Sequence, residues 1–249
     1  MIDVVTESYP DIPGLDTGIS HALARSVGSG DAHETFRIHR TGPVVAFGRQ
    51  DRVTPGYADA VRAAHDAGYL AVERLAGGRA AVFHETTLAF AWAIPADEPR
   101  AGITDRFRAI SRMVALAFTD VGAAARVGEL PGEYCPGAYS VHLAGGGKVM
   151  GVGQRLVRGA AHVGGVIVVD GGRRIADVLR PVYEALAIPW DPTTSGDLGD
   201  RVPGLDMKTV REAVLARLAD VADVRAATLP PAIVAQGRAL ADSHVAPAA

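Results

Sequence analysis

Cysteine, lysine and aromatic residues are scarce in this chain. Of 249 residues one is cysteine, Cys135. A single thiol excludes an internal disulfide and a cysteine-built zinc site, and it suits a reducing, cytoplasmic setting. Among 25 basic residues only Lys148 and Lys208 are lysines. With so much Ala, Gly and Val, that is the composition of a GC-rich genome, and a lysine kept against such a bias points to chemistry at Lys148. Charge of one sign is missing too, since 25 basic residues face 28 acidic ones for a net charge of −3. A sequence-independent grip on nucleic acid needs a basic surface, so no nucleic-acid partner is expected. No apolar run approaches the ~20 residues of a membrane helix, and the opening MIDVVTESYPDIPG lacks the basic and apolar regions of a secretory leader. Neither a membrane partner nor a leader is expected. The eight histidines contain no i, i+4 pair and no H-E-x-x-H, so no metal site is expected.

What is present is ample core material, 48% hydrophobic residues. Apolar spacing predicts helices over 15–27, 56–68, 103–121 and 173–188, then two more at about 207–222 and 230–242. TFRIHR (35–40) and VVAFGR (44–49), split by Thr-Gly-Pro, read as a hairpin. Strands are expected at 69–75, twice within 76–95, and in three runs between 139 and 171. Residues 127–138 and 189–206 read as loops. No repeat, low-complexity tract or linker divides the chain. The expectation is one α+β domain over 1–249, with mainly antiparallel or mixed sheets flanked by helices and a frayed tail at 243–249.

Four places carry chemistry-bearing residues. In RLAGGRAAVFH (74–84), Gly77 and Gly78 directly follow a strand, where backbone N–H groups can approach an anion or a carboxyl group. Arg74 and Arg79 flank them with charge, and His84 closes the run. A plain glycine turn and a hydrogen-bonded structural histidine are the alternative readings of the same residues. Cys135 lies in GEYCPG, a turn-forming loop where functional side chains concentrate, although a small buried hydrophobe is the simpler role for one cysteine. A nucleophilic thiol needs a base or a cation, and Lys148, His84 or His142 could supply it. Lys148 itself could be an ordinary solvated turn lysine.

Together these segments resemble the biotin/lipoate protein ligase superfamily, specifically the lipoate–protein ligase A and lipoyl/octanoyl transferase branch. Its ligases carry Arg-Arg-x-x-Gly-Gly-Gly-Ala-Val-Phe-His, which stands here as Glu73 to His84 with Glu73 for the first Arg and Arg79 for the third Gly. VVAFGRQ (44–50) resembles the strand upstream of it. GGGKVMGVGQRLVRGAAHVGG (145–165) resembles the family's lysine segment, with Gly151 and Gln154 at matching places. GEYCPGAYSV (132–141) resembles the Cys-Pro-Gly loop of the amidotransferase that moves octanoyl from the glycine-cleavage H protein to other lipoyl domains.

The resemblance implies a biotin/lipoate ligase-like catalytic domain. Cys135 would be the acyl-thioester nucleophile and Lys148 would contact the acyl carbonyl. Arg74, Gly77, Gly78, Arg79, His84, Gly151 and Gln154 would bind substrate. Octanoate or lipoate would be the acyl group. The implied partners are lipoyl domains of 2-oxoacid dehydrogenases, the H protein and acyl carrier protein. The transferase needs no cofactor; the alternative, a lipoate ligase acting through lipoyl-AMP, needs ATP and Mg2+. A non-catalytic lipoyl-domain or acyl-binding protein is the other alternative. A biotin ligase is disfavoured because its Gly-Arg-Gly-Arg-x-Gly-Arg loop is missing.

Overall fold

A computed structural model describes residues 1–247. The first half of the chain runs β1 (Ile2–Val5), α1 (Leu15–Ser29), β2 (Thr35–Arg40), β3 (Val44–Phe47), α2 (Arg49–Arg52), α3 (Tyr57–Asp66), β4 (Leu70–Glu73), β5 (Ala81–Phe83), β6 (Thr87–Pro95) and α4 (Ile103–Asp120). The second half runs β7 (Ala125–Val127), β8 (Val141–Leu143), β9 (Lys148–Val157), β10 (Ala160–Val168), α5 (Gly172–Ala185), α6 (Met207–Ala219), β11 (Val224–Ala226) and α7 (Pro231–Ala241). Among the described residues these strands form an eight-stranded mixed sheet, ordered β11-β1-β2-β6-β10-β9-β8-β7, and a three-stranded sheet, β4-β3-β5. The α+β class with mixed sheets and flanking helices is as the sequence indicates.

The two apolar faces of this layering explain the element order. The large sheet buries Phe36, Ile38, Leu88, Phe90, Val163 and Ile167 against α4 and α6. The small sheet buries Val45, Phe47 and Val82 against α3 and α5. A third cluster joins α1 to α7 through Leu15, Ile19, Leu23 and Ile233. Burying such a side chain contributes about 1.5–3 kcal/mol, so these clusters fix where each sheet stacks.

The expected hairpin over 35–49 does not form. β2 pairs parallel with β1 and antiparallel with β6 in the large sheet, whereas β3 pairs with β4 and β5 in the small one. Thr41-Gly42-Pro43 therefore carries the chain from one sheet to the other. The reason is burial: β3 is apolar along its whole length and requires cover on both faces, which a two-stranded ribbon does not provide. A cleft between the sheets results. Residues 244–246 of the expected frayed tail are also tied down. His244 Nδ1 bonds the Glu73 carbonyl, Val245 bridges Val72, and the Ala246 N–H donates to the Ala71 carbonyl (2.9 Å). Positions 248 and 249 of the expected tail lie outside the described residues. No helix among the described residues is long and apolar enough to cross a membrane.

Candidate active site

Cys135 sits in the loop before β8 with φ of +43°, a left-handed conformation that only local constraints hold in a non-glycine residue. Tyr183 of α5 supplies one constraint. Its hydroxyl accepts from the Cys135 N–H (2.8 Å) and donates to the Ala80 carbonyl (2.9 Å), tying the loop to the glycine turn. Burial pushes the Tyr183 phenol far up, so it stays protonated for that role. Glu133 supplies another. Its Oε1 accepts from the Gly137 N–H (2.9 Å) and the Ser140 hydroxyl (2.7 Å) across the loop.

Donors converge on the sulfur. The Arg79 N–H lies 3.2 Å from Sγ and the Arg74 guanidinium 3.3 Å. Arg74 also donates to the Arg79 carbonyl at 2.7 Å, which fixes it against the turn. Burial raises the thiol pKa, but Arg74, Lys148 and the Arg79 N–H together outweigh it, and the net shift is downward. Cys135 is half-buried as a residue.

Gly78 is required by this arrangement. Its φ is +99°, and a Cβ there would fall 2.8 Å from Cys135 Sγ and 2.6 Å from the Arg74 guanidinium. Gly77 has open space instead, and its N–H meets the Gln154 carbonyl at 3.4 Å.

Lys148 is not a solvated turn residue. It is 1% exposed, starts β9, and donates from Nζ to the Tyr134 carbonyl (2.9 Å) and the Cys135 carbonyl (2.8 Å). Glu133 Oε1 is 3.5 Å away. Burial pulls the lysine pKa down, opposed by Cys135 and Glu133. Gly151 faces this side chain, since a Cβ there would touch Lys148 Cε at 3.3 Å.

Two expected binding residues stand elsewhere. His84 is fully buried beyond β5, bonded through Nδ1 to Thr86 and packed on Gly171, and no hydrogen bond among the described residues joins it to Cys135 or Lys148. The Gln154 side chain bonds the Ile103 carbonyl (2.7 Å) and Arg106 Nε (3.0 Å), anchoring the start of α4. His142 Nδ1 meets the neighbouring Leu143 carbonyl (3.2 Å), and no hydrogen bond among the described residues joins it to Cys135. Glu133, Tyr183 and Asp51 escaped the sequence reading. Asp51 is fully buried, holds the Gly48 N–H (2.9 Å) and pairs with Arg79 (3.3 Å). Only the position of Glu133 two residues before Cys135 could have signalled its part.

Beside the thiol a slot runs between the two sheets and α1. Arg74 and Ala76 stand at one end, Val44, Val72, Phe83 and Phe90 along it, and Thr41 and Leu70 at the other. Gly164 and Gly165 of β10 form part of its floor.

This geometry can be set beside known proteins. A model of the lipoyl protein ligase A/B catalytic domain matches residues 16–217. The chain belongs to that family. An octanoyl-[GcvH]:protein N-octanoyltransferase of Geobacillus kaustophilus is 31% identical over 167 residues, 67% of this chain and 59% of that protein. The protein of the same name from Bacillus velezensis is 31% identical over 73% of this chain and 63% of its own length. The matched region thus spans about three fifths of these relatives. In fold, a lipoate-protein ligase A bound with ATP superposes with a TM-score of 0.76 at 20% identity, covering 96% of this chain and 94% of that one. A bi-partite lipoate protein ligase from Thermoplasma acidophilum gives 0.72 at 18% identity, covering 96% and 91%.

Proposed function

We propose that this family member is a lipoyl/octanoyl transferase that carries the acyl group on Cys135. The observation that carries the reading is the convergence of the Arg79 N–H and the Arg74 guanidinium on one sulfur, with the Lys148 charge beside it. The names of the relatives, octanoyl-[GcvH]:protein N-octanoyltransferases, agree with it.

The Cys135 thiolate attacks the carbonyl of an acyl thioester on the glycine-cleavage H protein or an acyl carrier protein. A tetrahedral oxyanion forms and collapses, expelling the donor thiolate and leaving acyl-Cys135. The ε-amine of a lipoyl-domain lysine, such as that of a 2-oxoacid dehydrogenase, then attacks the new thioester, loses a proton, and releases Cys135 as the amide forms. The oxyanion requires a donor at the slot mouth. Arg74 Nε is buried there without a partner among the described residues and fits that place. Lys148 holds the loop carbonyls and supplies positive charge beneath the sulfur. The acyl chain lies in the slot. A single catalytic domain working in the reducing cytoplasm accounts for a free, activated thiol.

The ligase alternative must bind a triphosphate with Mg2+. Glu73 stands where the ligases carry their first arginine, and its carboxylate is held by Arg52 (2.8 Å) and Tyr57 (3.0 Å). Position 73 therefore offers ATP an anion in place of a cation.

Intact mass spectrometry separates these readings. With octanoyl H protein or octanoyl carrier protein, the transferase gains about 126 Da on Cys135, labile to hydroxylamine, as covalent catalysis requires. Cys135→Ser should abolish transfer. Lipoate-driven ATP–pyrophosphate exchange, with lipoylation retained by Cys135→Ser, would establish the ligase instead. A complex with lipoyl domains and no acyl adduct would establish a binding protein.

A further inference from the structure

The slot has two unlike walls. On the small-sheet side Val44, Ala46, Leu70 and Val72 are apolar. On the large-sheet side β2 alternates in register, so that Phe36 and Ile38 enter the main core while Arg37, His39 and Thr41 fall on the opposite face. In an ordinary half-buried strand that polar face meets water. Here Arg37 is 0% and His39 3% exposed, because α1 and the loop before it cover them.

The charges in this wall are already matched. Arg37 binds the Asp16 carboxylate and the carbonyls of Glu7 and Asp16. Asp16 also accepts from the Tyr9 N–H (3.2 Å). Two neutral polar atoms remain, His39 Nδ1 and Thr41 Oγ1, both buried, without a partner among the described residues, and carried by residues that line the slot. His39 Nε2 faces Asp16 Oδ1 at 3.8 Å, which turns the ring. Burial and the neighbouring Arg37 hold its pKa well below the usual histidine value, so it stays neutral. The distance along the slot is also defined. Arg74 marks the thiol end and Leu70 the far end, four residues of extended chain or about 13 Å, enough to house an eight-carbon acyl chain and a group carried near its distal end.

We propose that His39 and Thr41 form a polar seat at the far end of the slot, favouring an eight-carbon acyl chain that carries a hydrogen-bonding group near its distal end, such as a dithiolane sulfur or a hydroxyl, over a plain saturated chain. This rests on the transferase reading above and names its substrate class. A saturated chain end offers neither atom a partner, whereas a sulfur or hydroxyl oxygen satisfies one of them. His39 and Thr41 are specificity residues, since neither reaches the reacting carbonyl.

The test compares octanoyl, 8-hydroxyoctanoyl and lipoyl thioesters on one carrier protein, following acyl-Cys135 formation by quenched-flow intact mass spectrometry. The wild type should favour at least one functionalised chain over octanoyl by roughly threefold to tenfold, the worth of one net hydrogen bond. Whichever functionalised chain wins names the group that the seat takes. His39→Leu and Thr41→Val should each pull the ratio toward octanoyl, and His39→Gln, which keeps a polar atom, should retain more of the preference. Because the readout is a ratio within each variant, a general loss of folding does not imitate it, and the part-exposed Thr41 provides a second, milder variant. Octanoyl used as well as both functionalised chains, or a ratio unmoved in the Leu and Val variants, would overturn the seat while leaving the transferase reading intact. Failure of every donor to acylate Cys135 would overturn both.

Discussion

At the thiol end of the slot Arg74, Lys148 and Glu133 close around one loop, and their pairing leaves a sulfur facing excess positive charge. At the far end Asp16 and Arg37 neutralise each other against backbone carbonyls, and His39 Nδ1 and Thr41 Oγ1 have no partner among the described residues. Both clusters are buried and both contain a carboxylate with a cation. They differ in what the pairing leaves over. A cluster that pairs completely organises a wall, and one that pairs around a nucleophile tunes it.

The largest expected effect comes from breaking the first cluster. Lys148→Met removes the cation and strands Glu133, whose side chain is fully buried and whose Oε2 already has no partner among the described residues. Loss of one member of a buried pair costs about 3–5 kcal/mol. Acyl transfer should fall by about 10²-fold or more as the loop carbonyls lose their donor. Chemical denaturation and single-turnover assays measure the two losses. The double variant Glu133→Gln/Lys148→Met should recover part of the stability and little of the activity. Stability untouched in the single variant would mean that the pair does not organise the loop.

A buried histidine of the slot wall gives the next effect, through pH. His162 lines the slot, and burial, with a smaller contribution from His21, lowers its pKa to about 4. The unfolded chain takes up this proton below about pH 6.5 and the folded chain only below about 4. Stability from His162 is therefore complete above pH 6.5 and drains away as pH falls toward 4, by up to about 3 kcal/mol at 1.36 kcal/mol per unit. His39 acts in the same direction, while Asp16, whose pKa burial raises, acts in the opposite one. The diagnostic is the slope: unfolding free energies at pH 7 and pH 5 should converge in His162→Gln relative to the wild type. Parallel slopes would remove His162 from the account.

Much of this contrast was legible in the sequence, and unevenly. Cys135, Arg74, Gly78 and Lys148 lie in local segments whose spacing survives without tertiary knowledge, and the structure brings them together. The far end was invisible, because TFRIHRT alternates as a water-facing strand does and only the covering by α1 buries its polar face. The same blindness produced the false hairpin, since the partner of β3 is set by which face needs cover and not by the length of the turn. β1, β7 and β11 are three or four residues long, too short for a period to show. His84 and Gln154 look like site residues by position, yet their side chains bond Thr86 and the start of α4.

A smaller effect sharpens the electrostatic side. Arg74→Gln keeps a donor near Sγ but removes the charge that does most to offset burial of the thiol. The thiol pKa should rise, so the pH profile of iodoacetamide alkylation should move to higher pH and the rate at neutral pH should drop severalfold, with the far end unaffected. An unmoved profile would assign the lowered pKa to Lys148 and the Arg79 N–H.

The finest distinction lies within the glycine pair. Gly78 has φ of +99° and its would-be Cβ meets both Sγ and the Arg74 guanidinium, whereas Gly77 has nothing within 4 Å. Alanine at 78 must either twist the turn or push the guanidinium off the sulfur, and an L-residue in that backbone region costs about 1–2 kcal/mol before any contact is counted. Alanine at 77 meets neither obstacle and should change stability by no more than about 0.5 kcal/mol. Gly78→Ala should therefore lose alkylation rate and acyl transfer together, because the Arg79 N–H and Arg74 both leave the sulfur, while Gly77→Ala keeps both. Melting temperature, alkylation rate and transfer rate measured on the two variants decide the matter. Equal losses at 77 and 78 would mean that the pair serves as a plain turn, with the sulfur held by the Cys135 loop alone.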